Sequence, residues 1–133
     1  MCNCGATFFR HNPTVEAWAW DHWYVYFKPI RAALLWGELP PIDMHEIIAL
    51  IAPRPFLDVS ALNDGDPLVQ RQRVLMVMKI ADVYELLKAP ENFAFFVPGR
   101  GHSVPHETRE LIFGFLDAHL KPPEATRACL VGE

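Results

Sequence analysis

Apolar residues recur at helical spacing in three stretches of the chain, and each stretch predicts a helix. These helices are expected to begin near Asp43, Pro67 and Pro105, with the second running to about Ala89 and the third to about Leu120. Their apolar stripes comprise Met44, Ile47, Ile48 and Ile51 in the first, Met76, Ile80, Val83 and Leu87 in the second, and Leu111, Ile112, Phe115 and Leu116 in the third. Each stripe is expected to face the interior.

Local signals at the helix starts support these assignments. Asp43 and Glu46 have the spacing of a capping box, and Asp66 directly precedes Pro67 in the position of an N-cap. A further short helix is predicted over PIRAALLWG, which a proline opens and a glycine ends.

Two short apolar runs between the helices, PFLDVSAL and NFAFFV, predict buried strands. The N-terminal MCNCGATFF is expected to be the end of a third strand. Strands that alternate with helices form parallel sheets through right-handed crossovers. The predicted fold class is therefore α/β, with about three mostly parallel strands and flanking helices.

One aromatic-rich segment, AWAWDHWYVYF, fits both a helix and a strand, and the preceding Asn12–Pro13 favours a helix. The aromatic group in and after this segment consists of Trp18, Trp20, Trp23, Tyr24, Tyr26 and Trp36. Aromatic faces can stack on sugar rings, but a place in the core is the favoured interpretation.

Composition narrows the functional classes. A chain of 133 residues with 51% hydrophobic residues corresponds to one folded domain at most. The net charge of -4 comes without a basic block, which argues against nucleic acid as a partner. No uninterrupted apolar run approaches the roughly 18 residues of a membrane span. The N-terminus lacks the basic start and apolar run of a signal peptide, which slightly favours a cytoplasmic location.

Asp64 and His102 each follow a predicted strand. In an open parallel sheet, ligands collect beyond the carboxyl ends of the strands, and adjacent strands would bring these two loops together. An aspartate that accepts a hydrogen bond from one imidazole nitrogen leaves the other nitrogen available as a base. A loop aspartate is more often a helix cap, but Asp66 fills that position here. Asp64 and His102 are therefore the candidate catalytic residues.

Two longer segments, GELPPIDMHEIIALIAPRPFLDVSALNDGD and FVPGRGHSVPHETRELIFGFLDAHL, resemble the C-terminal portion of an α/β-hydrolase, in particular bacterial esterases of the acetylxylan-esterase and dienelactone-hydrolase kind. The likeness implies a partial α/β-hydrolase domain over residues 1–121, and the terminal residues 122–133 are expected to form a flexible tail. In the family's chain order of nucleophile, acid and histidine, Asp64 matches the acid and His102 the histidine.

The chain departs from the family in lacking its Gly-x-Ser-x-Gly nucleophile motif. Cys4 precedes the acid and the histidine in the right order, but no full strand precedes it, so a cysteine at a strand end is the favoured interpretation. His102 and His106 have a spacing that could bind zinc on one helix face, but Pro105 lies between them. Neither a metal nor a cofactor is expected.

The resemblance implies a C-terminal fragment of a serine hydrolase that acts on carboxylic esters, with acetylated carbohydrate as one candidate substrate. Such a fragment would bind a small-molecule ester only when completed by the missing half, and we expect it to be inactive alone. That Met1 is internal to a longer hydrolase is given the same weight as that the chain is a real short protein. The alternative is a non-catalytic interaction or remnant protein that pairs through its open sheet edge, for example as a homo-oligomer.

Overall fold

The computed structural model describes residues 10, 19–20, 27–99 and 101–120 of the chain. The chain divides into two units, Met1–Ser103 and Val104–Glu133. The described elements of the first unit are α1 (Lys28–Leu35), α2 (Met44–Ala49), β1 (Phe56–Val59), α3 (Pro67–Leu86), a 3-10 turn (Pro90–Asn92) and β2 (Phe93–Phe96). The second unit contains α4 (His106–Leu120). The expected tail over 122–133 lies outside the described residues.

Helices α2 and α3 begin where their capping signals predict. The backbone N–H of Asp43 donates to Glu46 Oε2 at 2.7 Å, and the Asp43 side chain accepts from the first turn, which completes the capping box. At the start of α3, Asp66 Oδ1 accepts from the N–H of Leu68 at 2.8 Å. Both caps satisfy N–H groups that the first turn of a helix leaves without an intrahelical partner.

Strands β1 and β2 pair in parallel, with Phe56 opposite Phe93 and Val59 opposite Phe96. Helix α3 provides the crossover between them. The mixed α/β class is therefore confirmed. The described residues contain these two strands rather than the three expected, and the third expected strand, MCNCGATFF, lies outside the described residues.

The core of the first unit lies between α2, α3 and the start of each strand. Its buried members are Ile48, Met76, Ile80, Tyr84 and Ala89, and Met44, Ile51, Ala52, Phe56 and Phe93 pack against them. The Tyr84 ring stacks on Phe93 with centroids 5.1 Å apart. The crossover helix is thereby fixed to the sheet by a helix–strand aromatic pair.

In the first unit, two residues of the predicted apolar stripes are exposed instead. Ile47 is 38% exposed, because in the six-residue α2 the face of Met44 and Ile48 is the one that packs on the core. Leu87 is 46% exposed, because α3 ends at Leu86 and the predicted end at Ala89 is three residues too late. The fully buried Tyr84 occupies the last inward position of α3 in place of Leu87.

Helix α4, considered by itself, begins one residue after the predicted Pro105. Thr108 is its fully buried residue. Leu116 was predicted to face inward and is 40% exposed. It lies about 80° around the helix from Thr108, so it falls at the margin of the less exposed face.

The expectation that the aromatic group lies in the core is wrong for its two described members. Trp20 is 67% exposed and Trp36 is 79% exposed. Trp36 follows α1 directly, and Gly37 with its φ of +74° turns the chain away from the helix. The other four aromatic residues lie outside the described residues. Across the described ranges, no helix has the length and apolar character needed to cross a membrane.

Candidate active site

The loops that follow β1 and β2 continue side by side beyond the strands. The N–H of Ser60 donates to Phe96 O at 3.1 Å, and the N–H of Leu62 donates to Pro98 O at 3.3 Å. These two hydrogen bonds extend the parallel pairing past the last strand residues. The side chains that follow, Asp64 and His102, are therefore delivered to the same edge of the sheet.

Asp64 and His102 meet at this edge, as predicted. His102 Nδ1 lies 3.1 Å from Asp64 Oδ2. In the neutral imidazole, donation from Nδ1 leaves Nε2 as the nitrogen with the free lone pair. The His102 side chain is 72% exposed and that of Asp64 is 22% exposed, so solvent reaches the histidine more readily than the aspartate behind it. A carboxylate in this position can orient an imidazole for general-base chemistry.

The turn that carries Asp64 is held from both sides. The N–H of Asp64 donates to Ala61 O at 3.4 Å, and the side-chain amide of Gln70 donates to Asp64 O. Gly65 has a φ of +97°, a left-handed conformation that a side chain disfavours. A glycine at position 65 therefore allows the chain to reverse direction between Asp64 and the helix cap at Asp66.

Two pairs of buried polar side chains lie in β1 and the residue after it and in α3. Asp58, Ser60, Gln70 and Arg73 are each less than 5% exposed. The Ser60 hydroxyl donates to Asp58 Oδ1 at 2.5 Å, and Arg73 Nη1 donates to Gln70 Oε1 at 2.7 Å. Because buried polar groups are stable only when hydrogen-bonded, the bond from Arg73 restricts Gln70, which in turn holds the Asp64 carbonyl.

Sequence reasoning missed two residues that shape the site, Asn63 and Gln70. Asn63 bonds to the loop of His102 through both atoms of its amide group, and Gln70 fixes the carbonyl of Asp64. For Asn63 the available signal was an amide residue inside a turn, a common position for side-chain hydrogen bonds to backbone, whereas Gln70 lies within α3 and carried no such signal. That signal does not identify the partner, which depends on the adjacent loop.

The other predicted residues lie in different surroundings. Asp66 caps α3, as expected. His106 begins α4, where its Nδ1 lies 3.9 Å from Glu110 Oε1. Arg54 contributes its carbonyl to a hydrogen bond with Tyr84, and His45 lies half-buried in α2. Cys4 lies outside the described residues.

The described residues show no group of three or more histidine, cysteine, aspartate or glutamate side chains with the geometry of a metal site. Comparison with known proteins finds no protein-family model that matches the chain and no curated protein that is similar to it.

Proposed function

We propose that Asp64 and His102 are the acid and the histidine of an acyl-transfer site of the α/β-hydrolase type, which acts on carboxylic esters. The supporting observation is the 3.1 Å contact between His102 Nδ1 and Asp64 Oδ2 at the carboxyl end of two adjacent parallel strands. The order of acid before histidine along the chain is the order of the family that the sequence resembles.

In the proposed reaction, Nε2 of His102 accepts the proton of a serine hydroxyl as the serine oxygen attacks the ester carbonyl carbon. Asp64 orients the imidazole and stabilises the imidazolium that forms. The imidazolium then returns the proton to the leaving alcohol as the ester C–O bond breaks. Water attacks the resulting acyl-enzyme in the same way, and the carboxylic acid is released.

The serine belongs, in this proposal, to a segment outside the 133 residues, because neither serine of the sequence suits the task. Ser60 is 3% exposed and its hydroxyl donates to the buried Asp58. Ser103 directly follows His102 in its loop, and Val104 and Pro105 follow where a nucleophile motif requires a second glycine and a helix.

The chain alone is accordingly expected to hydrolyse esters at a negligible rate. General-base assistance contributes about 10²- to 10⁴-fold, whereas enzymes accelerate reactions by about 10⁶-fold or more. The test is nitrophenolate release from p-nitrophenyl acetate by the chain and by His102→Ala. An enzymatic rate in the chain that His102→Ala abolishes would contradict the assignment of the nucleophile to another segment.

The same proposal can be tested on the coding DNA. The reading frame upstream of the Met1 codon is expected to encode a Gly-x-Ser-x-Gly motif preceded by strand-forming residues. If the frame is open and the motif is present, the longer polypeptide should hydrolyse the same ester and lose activity in His102→Ala. If an in-frame stop codon directly precedes Met1, the serine must come from another polypeptide, or the proposal is wrong.

The second candidate is a non-catalytic protein that pairs through its sheet edge. It is favoured by the two-stranded sheet of the described residues, in which β1 and β2 each pair with only the other. An open parallel edge presents backbone groups to a partner strand. Sedimentation analysis separates the two candidate functions. A defined oligomer would favour pairing through the sheet edge, and a monomer would exclude pairing between copies of this chain.

A further inference from the structure

Asn63 joins the loop of Asp64 to the loop of His102. Its Nδ2 donates to Gly99 O at 2.9 Å, and its Oδ1 accepts from the N–H of Gly101 at 2.6 Å. One side chain therefore bonds to both the carbonyl of Gly99 and the N–H of Gly101, two backbone groups of the opposite loop. Asn63 itself directly precedes Asp64, and Gly101 directly precedes His102.

The asparagine amide meets both requirements of these backbone groups. A backbone carbonyl accepts and a backbone N–H donates, so the side chain must offer one donor and one acceptor in a fixed plane. Aspartate at this position could still accept from Gly101 but would place a second acceptor against Gly99 O. This complementarity also fixes which amide atom of Asn63 is oxygen and which is nitrogen.

The contact between Asp64 and His102 needs such support, because an exposed ion pair orders its own side chains weakly. His102 is 72% exposed, and the preceding Gly101, with its φ of +52°, has no side chain to restrict its backbone. The amide of Asn63 restricts that backbone directly. The position of the imidazole relative to the carboxylate thus depends on a hydrogen-bonded loop as well as on the pair itself.

We infer that Asn63 is the positioning residue of the Asp64–His102 pair: it acts through Gly99 and Gly101 and touches no reacting atom. This inference rests on the proposed function and adds to it the residue that sets the geometry of the base. It predicts that loss of the Asn63 amide releases His102 from Asp64 without unfolding the chain, because the Asn63 side chain is exposed.

The experiment uses the full chain with ¹⁵N-labelled histidine and long-range ¹H–¹⁵N NMR near pH 8.5, above the ordinary histidine pKa of about 6.5. His102→Ala assigns the His102 signals. The variants are Asn63→Ala and Asn63→Asp, and Asn92→Ala is the matched control. Asn92 also donates its amide to a loop carbonyl, Pro53 O at 2.8 Å, but in the connection that precedes β1.

In the wild type, His102 is expected to carry its proton on Nδ1. In Asn63→Ala, the two ring nitrogens should move towards averaged shifts, while Asn92→Ala keeps the wild-type pattern. Asn63→Asp, which retains only the acceptor, should lie between them. If wild-type His102 shows the Nδ1–H form and Asn63→Ala leaves it unchanged, the positioning role is wrong and the pair stands. If wild-type His102 shows no preference for Nδ1–H, the pair itself, and with it the proposed function, is wrong.

A second measurement needs no variant at Asn63. The amide proton of Gly101 should exchange with solvent about 2- to 12-fold more slowly than an unprotected glycine amide, the factor that corresponds to a net hydrogen bond of about 0.5–1.5 kcal/mol. Exchange at the unprotected rate would overturn the role of Asn63 even if Asn63→Ala failed to fold.

Discussion

Tyr84 connects the crossover helix to the chain segment that enters β1, and its hydroxyl can be removed without removing its ring. The side chain is fully buried, and its hydroxyl donates to Arg54 O at 2.7 Å. Tyr84→Phe deletes this donor and keeps the stacking on Phe93. Tyr84→Ala deletes both the donor and the ring, so the two variants separate the hydrogen bond from the packing.

The expected costs differ several-fold. A typical intramolecular hydrogen bond contributes about 0.5–1.5 kcal/mol net, which is the loss in free energy of unfolding expected for Tyr84→Phe. Truncation of a buried aromatic side chain to alanine costs about 3–5 kcal/mol, because the site loses transfer free energy and retains a cavity. Urea unfolding monitored by circular dichroism measures both values. Equal losses in the two variants would show that the ring contributes nothing to the core.

Because the hydroxyl of Tyr84 can ionise, the free energy of unfolding is expected to depend on pH. Burial raises the pKa of Tyr84 above its ordinary value of 10.0, and the positive charge of Arg54 opposes part of that rise. The folded pKa is therefore higher than the unfolded one. The resulting stability is fully present below about pH 10 and is lost as pH rises through the folded pKa, with a slope of at most about 1.4 kcal/mol per pH unit.

The assay is urea unfolding of the wild type and Tyr84→Phe from pH 7 to pH 11. The stability advantage of the wild type should stay constant to about pH 10 and shrink above it, because the phenylalanine variant has no hydroxyl to ionise. The control is Phe93→Leu, which disturbs the same ring contact without changing a titratable group and should show the wild-type pH dependence. An advantage that is unchanged up to pH 11 would refute the burial of the Tyr84 hydroxyl.

Three further tests by substitution address the elements that support the site. Met76→Ala should cost about 2–5 kcal/mol of unfolding free energy, because Met76 is fully buried. Met78→Ala on the same helix should cost less than about 0.5 kcal/mol, because Met78 is 60% exposed. Urea unfolding measures both costs, and equal costs would contradict the assigned face of α3. Asp66→Ala should lower the free energy of unfolding by about 1 kcal/mol, because it removes the N-cap of α3. Asp66→Asn should retain most of the capping contribution. Thermal unfolding measures both variants, and equal losses would argue against the cap. Gly65→Ala should destabilise by about 1 kcal/mol or more, because the φ of +97° is disfavoured for alanine. Steric overlap is not the cause, since an added Cβ would lie at an ordinary 3.6 Å from Gln70 Nε2. An unchanged melting temperature would contradict that backbone conformation.

The features that follow from local chemistry could be predicted from the sequence. Asp43 and Asp66 cap helices because their side chains reach N–H groups only one or a few residues away. The meeting of Asp64 and His102 also follows from the sequence, since a parallel crossover returns the chain to the same sheet edge. The pairing of Asn63 with the opposite loop does not follow, because it depends on the register of two loops after their strands end.

Burial at the margins of helices was predicted less well, for a related reason. Helical spacing defines a stripe, but the neighbouring element decides which part of the stripe it covers. Ile47 and Leu116 belong to predicted stripes and are exposed at their margins. At the end of α3, Lys88 adopts a φ of +55°, a conformation uncommon outside glycine, and no sequence signal marks it.

The pairing of Asp64 with His102 is tested most directly by the reactivity of the histidine. Diethyl pyrocarbonate acylates neutral imidazole, and mass spectrometry can follow His102 and His106 separately in the same sample near pH 8.5. The two side chains are 72% and 76% exposed, so His106 is an internal reference for solvent access.

His102 is expected to be acylated faster than His106 in the wild type, because Asp64 holds the Nδ1 proton and makes Nε2 the more reactive nitrogen. The ratio of the two rates should fall in Asp64→Asn, which keeps the shape and removes the charge, while the rate at His106 stays constant. An equal ratio in the wild type and in Asp64→Asn would show that the carboxylate does not act on His102, and would contradict the proposed catalytic pair.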